Sequence, residues 1–156
     1  MSGWRTWICL GASLAGLAVL CGAFAAHGLE DLFARWYQDR FFEKPAVSEQ
    51  ASPVKIPLDQ KYLADFETGA KYQMYHGLAI ILLGLVSRRV ESGLLTAAGC
   101  LLLLGTIFFC GGLYVYTLAD ARWAGMYVVP AGGTLFVSGW VAFAIAVVQR
   151  GEGDVI

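Results

Sequence analysis

The sequence predicts an all-α, integral membrane four-helix bundle, and three observations carry that prediction. Hydrophobic residues make up 58% of the 156-residue chain and charged residues only 15%, with a mean hydropathy of +0.60. A soluble domain holds nearer ~45–50% apolar and ~25% charged residues, so the excess apolar surface must face lipid. The apolar residues fall in uninterrupted blocks, and about 20 of them are needed to cross ~30 Å of hydrocarbon as a helix. Within two of these blocks small residues recur at helical spacing, as close helix packing in lipid requires. A formal net charge of −1 supplies no basic stripe, which argues against a nucleic-acid partner. The chain contains no phosphate loop, zinc-ligand spacing or catalytic-serine motif.

The first span is expected at about 5–26, where Trp7 to Ala26 is uncharged. A cleaved signal peptide is the competing reading, with Arg5 as its n-region and Ala23-Phe24-Ala25 as an A-x-A site. Gly11, Ala15, Ala18, Gly22 and Ala25 share one helical face. That face is expected to pack on other spans, because small residues let backbones approach.

From residue 28 the composition turns polar. Leu29, Leu32, Phe33, Trp36, Tyr37 and Phe41 lie broadly on one side of a helix through Phe42, which suits a short amphipathic helix lying in the interface. Pro45, Pro53 and Pro57 then oppose any helix. A polar loop is expected there, and cutting it should leave the fold intact.

The second span is expected at about 66–87, with Glu67, Lys71, Gln73 and His76 in its first half. Glu67 and Lys71 stand at i and i+4, a supportive ion-pair orientation. The third span covers 93–118 and the fourth 128–148, both uncharged. Pro130 falls in the first turn of the fourth, where a missing N–H is tolerated. Gly132, Ser138, Gly139, Ala142 and Ala146 offer a second small packing face. A single domain over 1–150 and a polar tail at 151–156 complete the organisation.

An even number of spans places both termini on one side, together with Arg5, Arg88, Arg89 and Arg150. Counting Lys and Arg alone favours termini outside, since the other side holds more of them. The dense Arg88-Arg89 pair in a very short loop favours termini in the cytoplasm, and that orientation is the expectation.

Four segments occur in order: GAFAAHGLE at 22–30, FETGAKYQMYHGLAIILLG at 66–84, FFCGGLYVYTL at 108–118 and PAGGTLFVSGW at 130–140. Together they resemble the transmembrane protein 256 family, also called the domain-of-unknown-function 423 group. The resemblance covers nearly the whole chain except about 38–60, which looks like an insertion. It implies a four-helix protein of the bacterial inner or mitochondrial membrane with no assigned activity. Cys110-Gly111 departs from the usual Ser-Gly, and Val129 stands where a Thr often precedes the proline.

Chemistry, if any, centres on the two histidines. His27 ends the first span and His76 lies near the start of the second, with Tyr72 and Gln73 at i−4 and i−3. Ionisable groups at membrane depth are costly and often functional. The expected arrangement is a polar cluster of His27, Glu67, Lys71, Tyr72, Gln73 and His76 that hydrogen-bonds between spans. A small-ligand or proton site and a metal or haem site rank below it. No metal or cofactor is assigned, because no third ligand is evident. The four cysteines read as small apolar residues, with bridges between the two helices that carry them geometrically open. Asp120 and Arg122 are expected to face Lys71 or Glu67 across one membrane surface.

The expected role is therefore that of a non-enzymatic structural, accessory or interaction protein. Its partners are the bilayer and either another membrane protein or a second copy of the chain. A small-molecule carrier or ligand-binding protein is the alternative, and a haem or metal redox subunit stands below that.

Overall fold

A computed structural model describes residues 3–44, 54–89 and 92–151. Helix α1 (Gly3–Phe24) passes through a π-helical turn at Ala25–Leu29 into α2 (Glu30–Trp36), making one continuous helix of 34 residues. An antiparallel pair follows, β1 (Phe41–Lys44) and β2 (Val54–Pro57), in the register Phe41↔Pro57 to Lys44↔Val54. Then come α3 (Leu58–Val86), α4 (Gly93–Leu118) and, after a second π-helical turn at Ala124–Val128, α5 (Val129–Gly151).

Three helical stretches, Gly3–Trp36, Gly93–Leu118 and Ala124–Gln149, are long and apolar enough to cross a membrane. Helix α3 is as long but carries the polar residues of its first half. It packs against α1 on one side and α4 on the other, while α4 pairs with α5. Each polar residue in a membrane helix favours a protein neighbour over lipid, so the most polar helix is also the one packed between two others.

Three sequence boundaries are corrected. Helix α3 begins at Leu58 rather than near Phe66. Pro57, with extended ψ of 133°, starts it, and Leu58, Tyr62 and Phe66 form a buried stripe at helical spacing. The amphipathic segment ends at Trp36, and Phe41 and Phe42 lie in a strand. Its apolar side is covered by protein, because Leu29, Phe33 and Tyr37 pack on Leu58, Tyr62 and Phe66. Trp36 and Phe41 remain exposed, at 52% and 57%. The polar segment expected as loop contributes both strands, while its residues 45–53 lie outside the described residues, as do 152–156 of the polar tail.

The packing glycines divide. A Cβ on Gly11 would stand 2.5 Å from the Gly77 carbonyl oxygen and 2.8 Å from the Ile81 nitrogen, so α1 and α3 touch backbone to backbone. Ala18 is buried and Ala15 half-buried on the same face. Gly132 meets the Phe109 backbone, and a Cβ on Gly139 would lie 2.9 Å from Leu102. Gly22 is the exception. Nothing lies within 4 Å of a Cβ built there, although it shares the helical stripe with Gly11 and Ala18. The partner helix is closest near Gly11, and the contact between α1 and α3 at this level is made by neighbouring Ala25 and Phe24 against Phe66.

Candidate functional site

Two polar constellations stand on this frame, one inside the bundle and one at its rim. The interior one is built on the segment Tyr72–His76 of α3. Gln73, 3% exposed, donates through Nε2 to the Leu14 carbonyl at 2.9 Å. Its Oε1 accepts from the Tyr114 hydroxyl at 3.0 Å. One amide therefore joins α1, α3 and α4, with both ends occupied.

His76, 5% exposed, is held on both ring nitrogens. Nδ1 lies 2.8 Å from the Tyr72 carbonyl, and because a carbonyl only accepts, Nδ1 carries the proton. Nε2 then accepts from Trp140 Nε1 at 3.3 Å. The imidazole also stacks on Phe136, with centroids 3.4 Å apart and planes within 8°, and Tyr72 packs over Phe109 and Phe136. A metal would need the Nε2 lone pair that Trp140 now occupies. Among the described residues no three His, Cys, Asp or Glu side chains gather as a ligand set.

The six residues expected to cluster do not form one group. Tyr72, Gln73 and His76 come together as described. Glu67 and Lys71 pair with each other at 3.2 Å on an exposed surface. His27 is exposed in the π-helical turn. Gln73 meets α1 at Leu14, thirteen residues before His27, or about 20 Å along a helix rising ~1.5 Å per residue. Because α1 and α3 run antiparallel, the ends of sequence-adjacent spans coincide, but His76 lies several turns inside the second. The two histidines therefore sit at different depths.

The rim site lies where α2, the β-hairpin, the first turns of α3 and the α4–α5 connection converge. Asp120 adopts a left-handed φ of 51°, a conformation that aspartate tolerates better than most residues, just beyond the C-cap Ala119 of α4. Its carboxylate accepts from Arg40 at 2.6 Å and from the Tyr62 hydroxyl at 2.5 Å. Asp39 makes a second left-handed turn, at φ 57°, that brings Arg40 back toward it. The Tyr37 hydroxyl donates to the Thr117 carbonyl at 2.7 Å. Asp120 and Arg122 thus face the insert rather than Lys71 or Glu67. Partial burial pushes the Asp120 carboxyl up, but bonds from Tyr62 and Arg40 and the charges of Arg40 and Arg122 outweigh it. The group is held below the ordinary carboxylate range.

Beside this clasp, Lys61 pairs with Asp65 at 2.5 Å and donates to the Tyr116 hydroxyl at 3.2 Å. Its ammonium lies 4.9 Å from the Phe42 ring and 5.1 Å from the Tyr116 ring, within cation–π range. These residues wall a cleft of about 760 Å³ that Leu113, Arg122, Gly125 and Met126 complete. The sequence reading passed over Arg40, Lys61, Tyr62 and Asp65. The available signal was the spacing Leu58, Tyr62, Phe66, which continues the α3 stripe upstream.

Comparison with known proteins agrees with this architecture. The family described as "Protein of unknown function (DUF423)" matches residues 21–133. A "UPF0382 membrane protein" of Staphylococcus epidermidis (strain ATCC 12228 / FDA PCI 1200) is 36% identical over 145 residues, covering 93% of this chain and 97% of its own. The "UPF0382 membrane protein YwdK" of Bacillus subtilis (strain 168) is 32% identical over 146 residues, covering 93% and 98%. No solved structure matches the chain. With the matched region running from the end of α1 into α5, and relatives aligned along nearly their whole length, the chain belongs to the DUF423 family of helical membrane proteins.

Proposed function

We propose that this membrane protein is a non-catalytic accessory or interaction component, acting through association with another membrane protein or a second copy of itself. One observation carries the reading: the polar side chains inside the bundle are engaged in bonds within and between its own helices. Gln73 reaches α1 and α4 through its amide nitrogen and oxygen, and His76 bonds its own helix through Nδ1 and α5 through Nε2. Thr106 and Thr117 bond back to the Leu102 and Leu113 carbonyls of their own helix. Among the described residues no buried side-chain nitrogen or oxygen lacks a partner. What the protein presents outward is an apolar surface, including Leu20 and Val137 at 66% exposure and Leu78 at 53%.

Photo-crosslinking in native membranes tests this, with a photoreactive residue placed singly at Leu20, Leu78 and Val137. The expected result is a discrete protein adduct from at least one helix face, its mass distinguishing a second copy from a different chain. Lipid adducts alone at every position would contradict the association.

A further inference from the structure

Helix α3 is covered on three sides and bare on the fourth. Its Gly77 and Gly84 meet α1, its Gly69 meets Tyr114 of α4, and His76 reaches Trp140 of α5. The remaining side carries Thr68, Lys71, Tyr75, Leu78, Leu82 and Leu85. Their spacing alternates between three and four residues, which is the pattern of a coiled-coil seam. Tyr75, Leu78, Leu82 and Leu85 are between 47% and 58% exposed, so no described helix of this chain packs over the seam. Membrane helices associate along such seams, most often at crossing angles near +20°.

The chemistry of this face matches a copy of itself. Glu67 and Lys71 pair at 3.2 Å, one turn apart, so the seam is neutral and needs no countercharge from a partner. Two copies inserted in the same direction are related by a two-fold axis along the membrane normal. That axis sets Glu67 and Lys71 of one copy beside those of the other, and each ammonium then lies within reach of two carboxylates. Tyr75 stands eleven residues before Val86, the end of α3. That is about 17 Å, close to the middle of ~30 Å of hydrocarbon. Its ring lies 6.0 Å from that of Tyr72, and its hydroxyl meets no hydrogen-bond partner among the described residues. A hydroxyl at that depth gains from a polar neighbour. Because a tyrosine hydroxyl both donates and accepts, Tyr75 of a second copy supplies that neighbour, which hydrocarbon cannot. We propose that the chain self-associates in parallel through this face of α3, with Tyr75 against Tyr75 and Lys71 of each copy bridging to Glu67 of the other. The proposal rests on the association put forward above and names its partner and its surface.

The test uses two differently tagged copies of the full chain, co-expressed with a photoreactive residue at one position. The expected result is an adduct of doubled mass carrying both tags from Leu78 and from Leu82, and lipid adducts from Leu20 and Val137. Energy transfer between copies fused to donor and acceptor fluorescent proteins, in phosphatidylcholine vesicles of rising lipid content, then reads the strength of the pair. Tyr75→Phe should weaken it about threefold or more through loss of an interhelical hydrogen bond. Lys71→Glu gathers four carboxylates and should weaken it at least about tenfold. Adding Glu67→Lys to that variant restores two opposite pairs and should recover most of the loss, which separates lost association from lost folding. A doubled-mass adduct from Leu20 or Val137 with none from the seam would overturn this assignment and leave the broader association standing. So would a seam adduct of a different mass. Lipid adducts at every position would remove both. Unchanged energy transfer in Tyr75→Phe or in Lys71→Glu would overturn the assignment as well.

Discussion

Replacing Gly11 and Gly22 with alanine, one at a time, separates a glycine that sets a helix contact from one that only shares its sequence stripe. At Gly11 the new methyl would lie 2.5 Å from the Gly77 oxygen and 2.8 Å from the Ile81 nitrogen, where ordinary contact begins near 3.4 Å. Both are backbone atoms, so no side chain can turn aside, and α1 must back away from α3 by roughly 1 Å. Overpacking of this kind costs about 1–3 kcal/mol. The same movement stretches the 2.9 Å bond from Gln73 to the Leu14 carbonyl beyond hydrogen-bond range, adding roughly 0.6–1.7 kcal/mol. The sum, about 2–5 kcal/mol, corresponds to a fall in Tm of about 4–20 °C for a chain of this size. At Gly22 nothing lies within 4 Å, so alanine meets no neighbour, and its better helix propensity is worth up to about 1 kcal/mol. Thermal unfolding in one detergent, followed by circular dichroism, reads both. A Gly11→Ala melting point within 1 °C of native, or equal damage at the two sites, would refute the reasoning.

Other expectations follow from the polar sites. His76→Leu strands the Trp140 N–H and should lower Tm by several degrees, at roughly 1–3 kcal/mol, while His76→Gln keeps an acceptor and should fall between it and native protein in the same melt. Asp120 is held below the ordinary carboxylate range in the folded state, so its contribution is present above about pH 4 and is lost as pH falls through the folded value. Melting curves from pH 3 to 7 should therefore show Asp120→Asn less stable than native at pH 7, with the gap closing in acid. Arg5 and Arg88 both lie over the Trp4 ring, at 5.1 and 4.8 Å, which puts the start of α1 and the end of α3 at one face. Ser87→Cys and Arg122→Cys should then react with a membrane-impermeant maleimide from opposite sides of the membrane, and the Arg88-Arg89 pair leads us to expect Ser87→Cys on the cytoplasmic one.

The parts of the fold legible in the sequence are those that a single physical rule determines. Uncharged blocks long enough to cross a bilayer located α1, α4 and α5, because desolvating charge is costly enough to leave a clear pattern. Glycines at Gly11, Gly132 and Gly139 pointed to close approach, and the structure places backbone or side-chain atoms against each. Gly22 misled because periodicity defines a face of one helix and carries no information about where the partner ends its contact. The start of α3 was hidden by Asp59, Gln60, Lys61 and Asp65, whose polar side chains masked the stripe of Leu58, Tyr62 and Phe66. The rim site was less legible still. Arg40 and Asp120 are 80 residues apart, and each depends on a left-handed residue whose conformation no local pattern announces. His27 and His76 looked paired because both flank span ends in sequence, yet their separation in depth is fixed by how far α3 extends outward.

The central claim is that the interior polar residues are structural locks, and the ring of His76, held on both nitrogens, states it most directly. Solution or solid-state ¹⁵N spectroscopy of histidine-labelled protein in lipid at pH 7, with His27→Gln removing the other signal, distinguishes the possible forms. The account predicts a neutral imidazole protonated at Nδ1, with Nε2 showing the shift of a hydrogen-bonded acceptor. An Nε2–H tautomer, an imidazolium, or an Nε2 shift displaced by a bound metal would contradict it.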